Sequence, residues 1–258
     1  MEKRIFSPKE CYDAMLAAAE TKAKLSLSRM MVLAMFAGAF IALAGVASTV
    51  VSLPVGNPRL AAGCIFPAGL ALVVFTGTEL FTGNNLMFMA RLEGRISTAS
   101  MLRNWCAVWV GNFLGAALVA FAVYYGGVFQ GQEGFLAANA AAKLMPFHQG
   151  VLKGVLCNVL VCLGVYMAAA GRDAAGKVAA LFFPVAIFVI GGYEHCVANM
   201  YSFTAGLLAN ASLAEPFAGL TVGAIFTQNL IAVTLGNILG GAGVLGAGLW
   251  YIYGKEQK

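Results

Sequence analysis

Two short stretches decide how this chain folds: Gly77-Thr78-Glu79-Leu80-Phe81-Thr82-Gly83-Asn84-Asn85 and Gly192-Tyr193-Glu194-His195-Cys196-Val197-Ala198-Asn199. Each places a glycine, a glutamate and other polar residues inside a long apolar run. Unpaired backbone groups and charges are strongly disfavoured in hydrocarbon, so irregular chain persists in a membrane only where it lines a cavity. We predict that the two stretches meet near mid-membrane and form the functional site.

The chain as a whole has the composition of an integral membrane protein. Of its 258 residues, 60% are hydrophobic and 10% are charged, whereas a soluble domain carries about 25% charged residues. The apolar runs are about 20 residues or longer and contain Gly and Ala, a pattern of helices and not of barrel strands. The first residues are charged and lack the apolar core of a signal peptide. We therefore expect an all-α membrane fold, preceded by a cytoplasmic lead-in helix within residues 1–29.

Six spans are predicted. They cover residues 30–53, 61–90, 104–125, 150–170, 178–208 and 220–251. A bilayer core needs about 20 residues, so the second and fifth spans are too long for one straight helix. Each contains one of the polar stretches, and we predict that both are broken helices.

The basic residues predict the orientation. With the amino terminus inside, the inner segments hold thirteen of the sixteen Lys and Arg residues: Lys3, Arg4, Lys9, Lys22, Lys24, Arg29, Arg91, Arg95, Arg103, Arg172, Lys177, Lys255 and Lys258. The outer side keeps Arg59, Lys143 and Lys153. Cytoplasmic loops carry such an excess, so both termini are predicted to be cytoplasmic.

An internal repeat supports this topology. The pattern N-x-x-A-V-x-x-G-N-x-L-G occurs at residues 104–115 and again at 229–240, and Glu79 matches Glu194 in the same order. Each copy has three spans, so the two copies must be inverted relative to each other, as in many transporters and channels. We predict one channel domain over 1–258, with a first repeat at 30–125 and an inverted second repeat at 150–252. Two half-helix amino termini then point at one centre and favour anions there.

The motifs resemble those of a known family. The segments Glu79–Asn84, Asn104-Trp105 with Gly111-Asn112, and Glu194–Met200 are similar to signature segments of the formate/nitrite transporter family. The resemblance covers nearly the whole chain and looks strongest to the bacterial hydrosulfide-channel branch. It implies an aquaporin-like fold, a homopentamer, and a pore in each protomer for hydrosulfide, formate or nitrite. It also implies a bacterial cytoplasmic membrane location, with the lipid bilayer as partner and no cofactor, metal or nucleic acid.

The same resemblance implies roles for individual residues. His195 matches the central pore histidine, Thr82 the hydroxyl that faces it, and Lys143 the vestibule lysine. The remaining matches are the acid Glu194, the polar residues Asn158 and Asn229, one hydrophobic constriction with Leu70 and Phe188, and a second with Phe66; Phe81 is a further constriction residue. His195, helped by Thr82, is expected either to bind the anion or to protonate it transiently.

Plainer readings stand beside these roles. Thr82 can be a simple helix cap, and Glu79 and Glu194 can serve only to bind free backbone N–H groups around the breaks. Among other classes of protein, an enzyme needs a nucleophile with its base or a metal cluster, and the two histidines His148 and His195 lie on different segments. A water or glycerol channel and a purely structural membrane protein fit the polar breaks less well. A proton-coupled anion transporter remains an alternative to a passive channel.

Overall fold

The computed structural model of the chain describes residues 5–53 and 56–254. This part is helical apart from turns and one isolated bridge between Ile5 and Gly171. The charges of Lys3, Arg4, Lys255 and Lys258, used above for orientation, lie outside the described residues. The helices are α1 (Pro8–Ala23), α2 (Leu27–Ser52), α3 (Pro58–Ile65), α4 (Pro67–Thr76), α5 (Phe81–Asn84), α6 (Met87–Leu92), α7 (Thr98–Tyr125), α8 (Glu133–Ala141), α9 (Phe147–Ala170), α10 (Ala174–Ile190), α11 (Cys196–Ser212) and α12 (Val222–Tyr253).

The crossing segments follow the predicted spans. Among the described residues, α2, the α3–α4 pair, α7, α9 and α12 are long and apolar enough to cross a membrane. The shorter apolar helix α10 continues through a break into α11 and completes the set. The prediction of an all-helical, aquaporin-like membrane fold with broken second and fifth segments is confirmed. The last segment, α12, also contains two π-helical stretches, Phe226–Leu230 and Leu239–Gly246.

The lead-in helix α1 packs against one end of this bundle. It begins with a capping box, in which the Ser7 hydroxyl and the Glu10 carboxylate each bind the other residue's backbone N–H. Its buried face, which includes Tyr12 and Leu16, contacts α6, α9 and α12. We call the end of the bundle that carries α1 the near side, and the opposite end, which carries α8, the far side.

Two helix crossings are unusually close because glycine is present at the contact. A Cβ atom on Gly115 of α7 would collide with the Met35 carbonyl of α2, and one on Gly240 of α12 would collide with the Val155 carbonyl of α9. Small residues allow such approach in membrane helices. Gly115 and Gly240 hold matching positions in the internal repeat, so the same crossing is built twice and frames the centre of the bundle.

The two breaks have the same construction. The helix before each break ends near a glycine in the left-handed region, Gly77 with φ 65° and Gly192 with φ 68°, where a residue with a Cβ is strained. The chain then runs extended through Leu80 and His195 before a new helix starts. Gly77 turns the chain on the near side and Gly192 turns it on the far side, because the helices before them run in opposite directions.

Candidate functional site

The two extended stretches meet at a hydrogen bond in the centre of the bundle. Thr82 Oγ1 lies 2.8 Å from His195 Nε2, and both side chains are buried. This contact agrees with the prediction that the stretches come together at one place. The matched pairs of the repeat differ here: an offset of 115 aligns His195 with Leu80 and Thr82 with Val197. The central contact is therefore the part of the site that the two halves do not share.

The tautomer of His195 follows from its second hydrogen bond. His195 is the residue that caps α11, and its Nδ1 accepts the backbone N–H of Ala198 at 3.1 Å. A neutral imidazole carries its proton on the nitrogen that does not accept, so the proton is on Nε2. Nε2 then donates to Thr82 Oγ1, which leaves the Thr82 hydroxyl hydrogen for another acceptor. The imidazole also stacks on the Phe188 ring, with centroids 5.9 Å apart.

A cluster of four polar side chains lies on the near side of this contact. The Glu79 carboxylate is buried and pairs with Lys22 Nζ at 2.5 Å. It also accepts hydrogen bonds from Asn84 Nδ2 at 2.7 Å and Asn104 Nδ2 at 3.0 Å. Lys22 Nζ donates in addition to Asn84 Oδ1 at 2.9 Å. We call Lys22, Glu79, Asn84 and Asn104 the near-side cluster.

A second cluster repeats this arrangement on the far side. Lys143 Nζ lies 3.2 Å from both oxygens of the buried Glu194 carboxylate. Asn199 Nδ2 donates to Glu194 Oε2 at 2.6 Å and to Asn229 Oδ1 at 2.8 Å. Asn229 Nδ2 in turn donates to the Lys143 carbonyl at 2.8 Å. We call Lys143, Glu194, Asn199 and Asn229 the far-side cluster.

The backbone groups freed by each break bind an asparagine from the neighbouring helix. Asn112 accepts the Phe81 N–H at 2.9 Å and donates to the carbonyls of Ala34 and Glu79 at 2.7 and 2.9 Å. Asn237 accepts the Cys196 N–H at 2.9 Å and donates to the carbonyls of Gly154 and Glu194 at 2.9 and 3.0 Å. The reading that Glu79 and Glu194 serve only to bind these N–H groups is therefore wrong. Asn112 and Asn237 bind the backbone groups freed by the breaks, and the two carboxylates bind lysine.

Two predicted pore residues, Asn158 and Asn229, bind other residues of the site. Asn158 is fully buried, and its Nδ2 binds the Thr82 carbonyl at 3.2 Å and the Asn237 carbonyl at 2.7 Å. Cys162 Sγ also lies 3.2 Å from the Thr82 carbonyl. Asn229 is buried within the far-side cluster. The side chains of Asn158 and Asn229 thus hold Thr82 and Glu194 in place.

Two of the residues predicted to form hydrophobic constrictions contact each other. The rings of Phe66 and Phe188, predicted to belong to separate constrictions, touch edge to face, with centroids 5.8 Å apart. Leu70 lies one turn beyond Phe66 and lines a cavity on the near side. Phe81 packs against Trp105, with centroids 6.5 Å apart. Which rings meet depends on how α3, α4 and α10 are rotated about their axes, and the apolar sequence leaves that rotation open.

The near-side cavity lies between α1 and the first break. It has a volume of about 620 Å³ and is lined by residues that include Lys22, Leu70, Gly77, Glu79 and Lys177. Sequence analysis missed Lys22 as a site residue, because the lead-in helix lies outside the three-span repeats.

These features define a membrane protein with two inverted halves whose broken helices meet at a polar centre. A sequence model described as formate/nitrite transporter matches residues 9–251, and the chain belongs to that family. The predicted family resemblance is therefore confirmed, while its hydrosulfide branch remains a prediction.

Named relatives agree with the family assignment. A probable formate transporter of Methanothermobacter thermautotrophicus is 38% identical, with 97% of this chain and 98% of that protein covered. The formate channel FocA of Escherichia coli K12 is 36% identical over 87% of this chain and 86% of its own. Among solved structures, an FNT family ion channel matches with a TM-score of 0.86 and 30% identity, covering 94% of this chain and 98% of that one. A pentameric formate channel with formate bound matches with a TM-score of 0.76 and 35% identity, covering 88% and 97%.

Proposed function

We propose that this protein is a channel for small monovalent weak-acid anions, which pass through each protomer at the contact between His195 and Thr82. The observation that carries the proposal is the pair of lysine–glutamate clusters that flank this contact from opposite sides. Formate is the first candidate anion because the named relatives are formate transporters and channels. Nitrite and hydrosulfide belong to the same class of substrate, and hydrosulfide is the anion favoured by the sequence resemblance.

Each cluster presents a cation to water and keeps its anion covered. The Lys22 and Lys143 side chains are 26% and 29% exposed, whereas those of Glu79 and Glu194 are 3% and 7% exposed. A buried carboxylate without partners would repel an anion, but here ammonium and amide donors surround it. An approaching anion therefore meets the positive end of each ion pair first, which favours its entry.

At the centre, the geometry favours hydrogen bonding of the anion over direct protonation by His195. Because Nδ1 accepts the Ala198 N–H, a second proton on the imidazole would break this capping bond. If Nδ1 carries no proton, transfer of the Nε2 proton to the anion would leave a negatively charged imidazolate. The Thr82 hydroxyl, already accepting from Nε2, has its own hydrogen to donate to an anion. We therefore rank passive conduction above proton-coupled transport.

The contacting rings of Phe66 and Phe188 form the proposed dry constriction next to His195, and Leu70 forms one on the near side. Apolar narrow points of this kind gate and select ions by removing water. Phe81 is a weaker candidate because its ring packs against Trp105.

We further propose that the chain is one channel domain that assembles as a homopentamer in the bacterial cytoplasmic membrane, with the near side and both termini in the cytoplasm. The pentameric relative supports the assembly. The excess of Lys and Arg near α1 and the loops on the same side supports the orientation.

Flux into proteoliposomes tests the proposed function. Formate, nitrite and hydrosulfide should enter vesicles that contain the protein faster than empty vesicles, while glycerol should not. Rapid glycerol entry without anion flux would overturn the proposal. Flux measured with and without a pH gradient at a fixed anion gradient separates the two mechanisms: passive conduction predicts that the proton gradient drives no net anion accumulation.

A further inference from the structure

We propose that Arg59 is the first anion contact at the far-side mouth of the pore, and that it favours planar oxyanions such as formate and nitrite over hydrosulfide and chloride. This inference rests on the proposed channel function and adds a residue that selects among its substrates. Arg59 lies in the first turn of α3 and is exposed. The resemblance assigned it no role.

Arg59 lies above the aromatic constriction on the same helical face. Phe66 follows Arg59 by seven residues, which is two helical turns, and its N–H binds the Ala62 carbonyl as a continuing helix does. The two residues are therefore separated by about 10 Å along the helix axis. Phe66 contacts Phe188, which stacks on His195. Arg59, the two rings and His195 thus follow one another from the start of α3 toward the centre.

The guanidinium rests on the turn that opens the second break. A Cβ atom built on Gly192 would lie 3.0 Å from Arg59 Cζ and 3.1 Å from one of its terminal nitrogens. Glycine at this position therefore leaves room for the guanidinium directly over the turn. Two residues further along, Glu194 begins the far-side cluster. The arginine is placed at the entrance of the same segment that carries Glu194 and His195.

The donors of Arg59 are free for a ligand. In the described part of the chain, the Arg59 guanidinium forms no hydrogen bond to protein and no ion pair. The arginines at Arg91, Arg95 and Arg103 differ, since each donates to a protein oxygen. A guanidinium offers parallel N–H groups that match the two oxygens of a planar oxyanion, whereas a single-atom anion can use only its charge.

The near side offers an independent parallel. Lys177 lines the near-side cavity together with Gly77, the turn that matches Gly192. Lys177 precedes Pro184 by seven residues and Arg59 precedes Pro67 by eight, and these two prolines hold corresponding places before the breaks. Each mouth therefore carries a basic side chain near the start of the helical segment that leads to the break on the opposite side. The far side differs in having the forked guanidinium.

Transport measured from each side at low anion concentration tests the inference. Right-side-out vesicles expose the far side to added anion and inverted vesicles expose the near side. Arg59→Gln should raise the half-saturating formate concentration about three- to fivefold from the far side, as expected for loss of an exposed charge contact, and leave the near-side value unchanged. Arg59→Lys keeps the charge, so it should weaken formate and nitrite entry but leave hydrosulfide and chloride entry at the wild-type level.

Arg29→Gln is the matched control, because Arg29 is an exposed arginine at the near-side start of α2, and it should leave far-side entry unchanged. Wild-type half-saturation for formate in Arg59→Lys would overturn the selectivity, and equal effects of Arg59→Gln from both sides would overturn the placement. These failures differ from failure of the proposed function, in which the wild-type protein itself would carry no anion.

Discussion

The near-side and far-side clusters are nearly the same in chemistry but differ in where their lysine comes from. In both, a buried glutamate binds one lysine and two asparagines, and the glutamates and asparagines come from matched positions of the repeat. Lys22, however, belongs to the lead-in helix α1, while Lys143 follows α8 and has its carbonyl tied to Asn229. The internal repeat therefore determines the positions of the two glutamates. The lysine that binds each glutamate comes from a different element outside the repeated spans.

The largest expected effect tests whether the halves are equivalent in stability. Asn112→Ala and Asn237→Ala each leave the buried N–H that follows the break and the carbonyl of the glutamate in the break without a partner, and we expect each to lose about 3 kcal/mol or more of stability. Thermal unfolding in detergent should show similar losses for both variants. Asn139→Ala, an exposed change on α8, should stay within about 0.5 kcal/mol. A wild-type melting curve for either asparagine variant would break the equivalence.

The centre, where the halves differ, should give the next largest effect. Thr82→Val removes the hydroxyl and His195→Asn removes the Nε2 donor while keeping a side chain that caps helices well. We expect each to reduce formate flux about tenfold, the value of one hydrogen bond of about 1.4 kcal/mol. Val197→Thr, at the position matched to Thr82, is the control: it adds a hydroxyl at the matched position and leaves both partners of the Thr82–His195 contact in place, so flux should stay near wild type. If both variants kept the wild-type flux and pH dependence, Thr82 and His195 would not lie on the conduction path.

A smaller effect should separate the two clusters by side. Lys22→Gln should weaken anion entry from the near side and Lys143→Gln entry from the far side, each about fivefold, because each leaves a buried carboxylate facing the path. Initial rates in right-side-out and inverted vesicles provide the measurement. Pairing each change with Glu79→Gln or Glu194→Gln should recover part of the loss. An equal loss from both sides in a single variant would show that the clusters do not act at separate mouths.

The smallest effect should be confined to α1. The Tyr12 hydroxyl donates to Glu93 at 2.9 Å, and Tyr12→Phe should lower stability by about 1 kcal/mol and leave Lys143-dependent entry intact. Burial, together with the Glu93 carboxylate, raises the pKa of Tyr12 above its usual value. The stabilisation is therefore fully present below about pH 10, the ordinary tyrosine pKa, and is lost as the pH rises beyond it. The melting temperatures of the wild type and of Tyr12→Phe should differ at pH 7, and this difference should shrink as the pH rises above about 10.

The parts of the fold that sequence predicted are those set by composition and spacing. Six apolar runs, two of them overlong, required six crossings with two breaks, and the repeated Asn-Gly-Asn pattern located the matched residues. The Thr82–His195 contact was within reach because both residues lie in the polar stretches that interrupt these runs.

The parts that sequence missed depend on packing between distant segments. Lys22 reaches Glu79 only because α1 folds back under the bundle, a contact across 57 positions of the chain. The Phe66–Phe188 contact depends on helix rotation, which uniformly apolar faces do not specify. Asn158 was predicted to be a pore residue from the family resemblance, and the resemblance did not reveal that its amide binds the backbone carbonyls of Thr82 and Asn237.

The unmatched centre has a consequence for how such a protein can arise from duplication. In an assembly of two identical halves, any residue beside the symmetry axis meets its own copy, so an imidazole would face an imidazole and a hydroxyl a hydroxyl. When the two halves are joined in one chain, the segments at the two breaks can differ in sequence, so that one carries Thr82 and the other carries His195. A donor and an acceptor of different kinds can then share the axis, while the asparagines and glutamates around them keep the inherited symmetry.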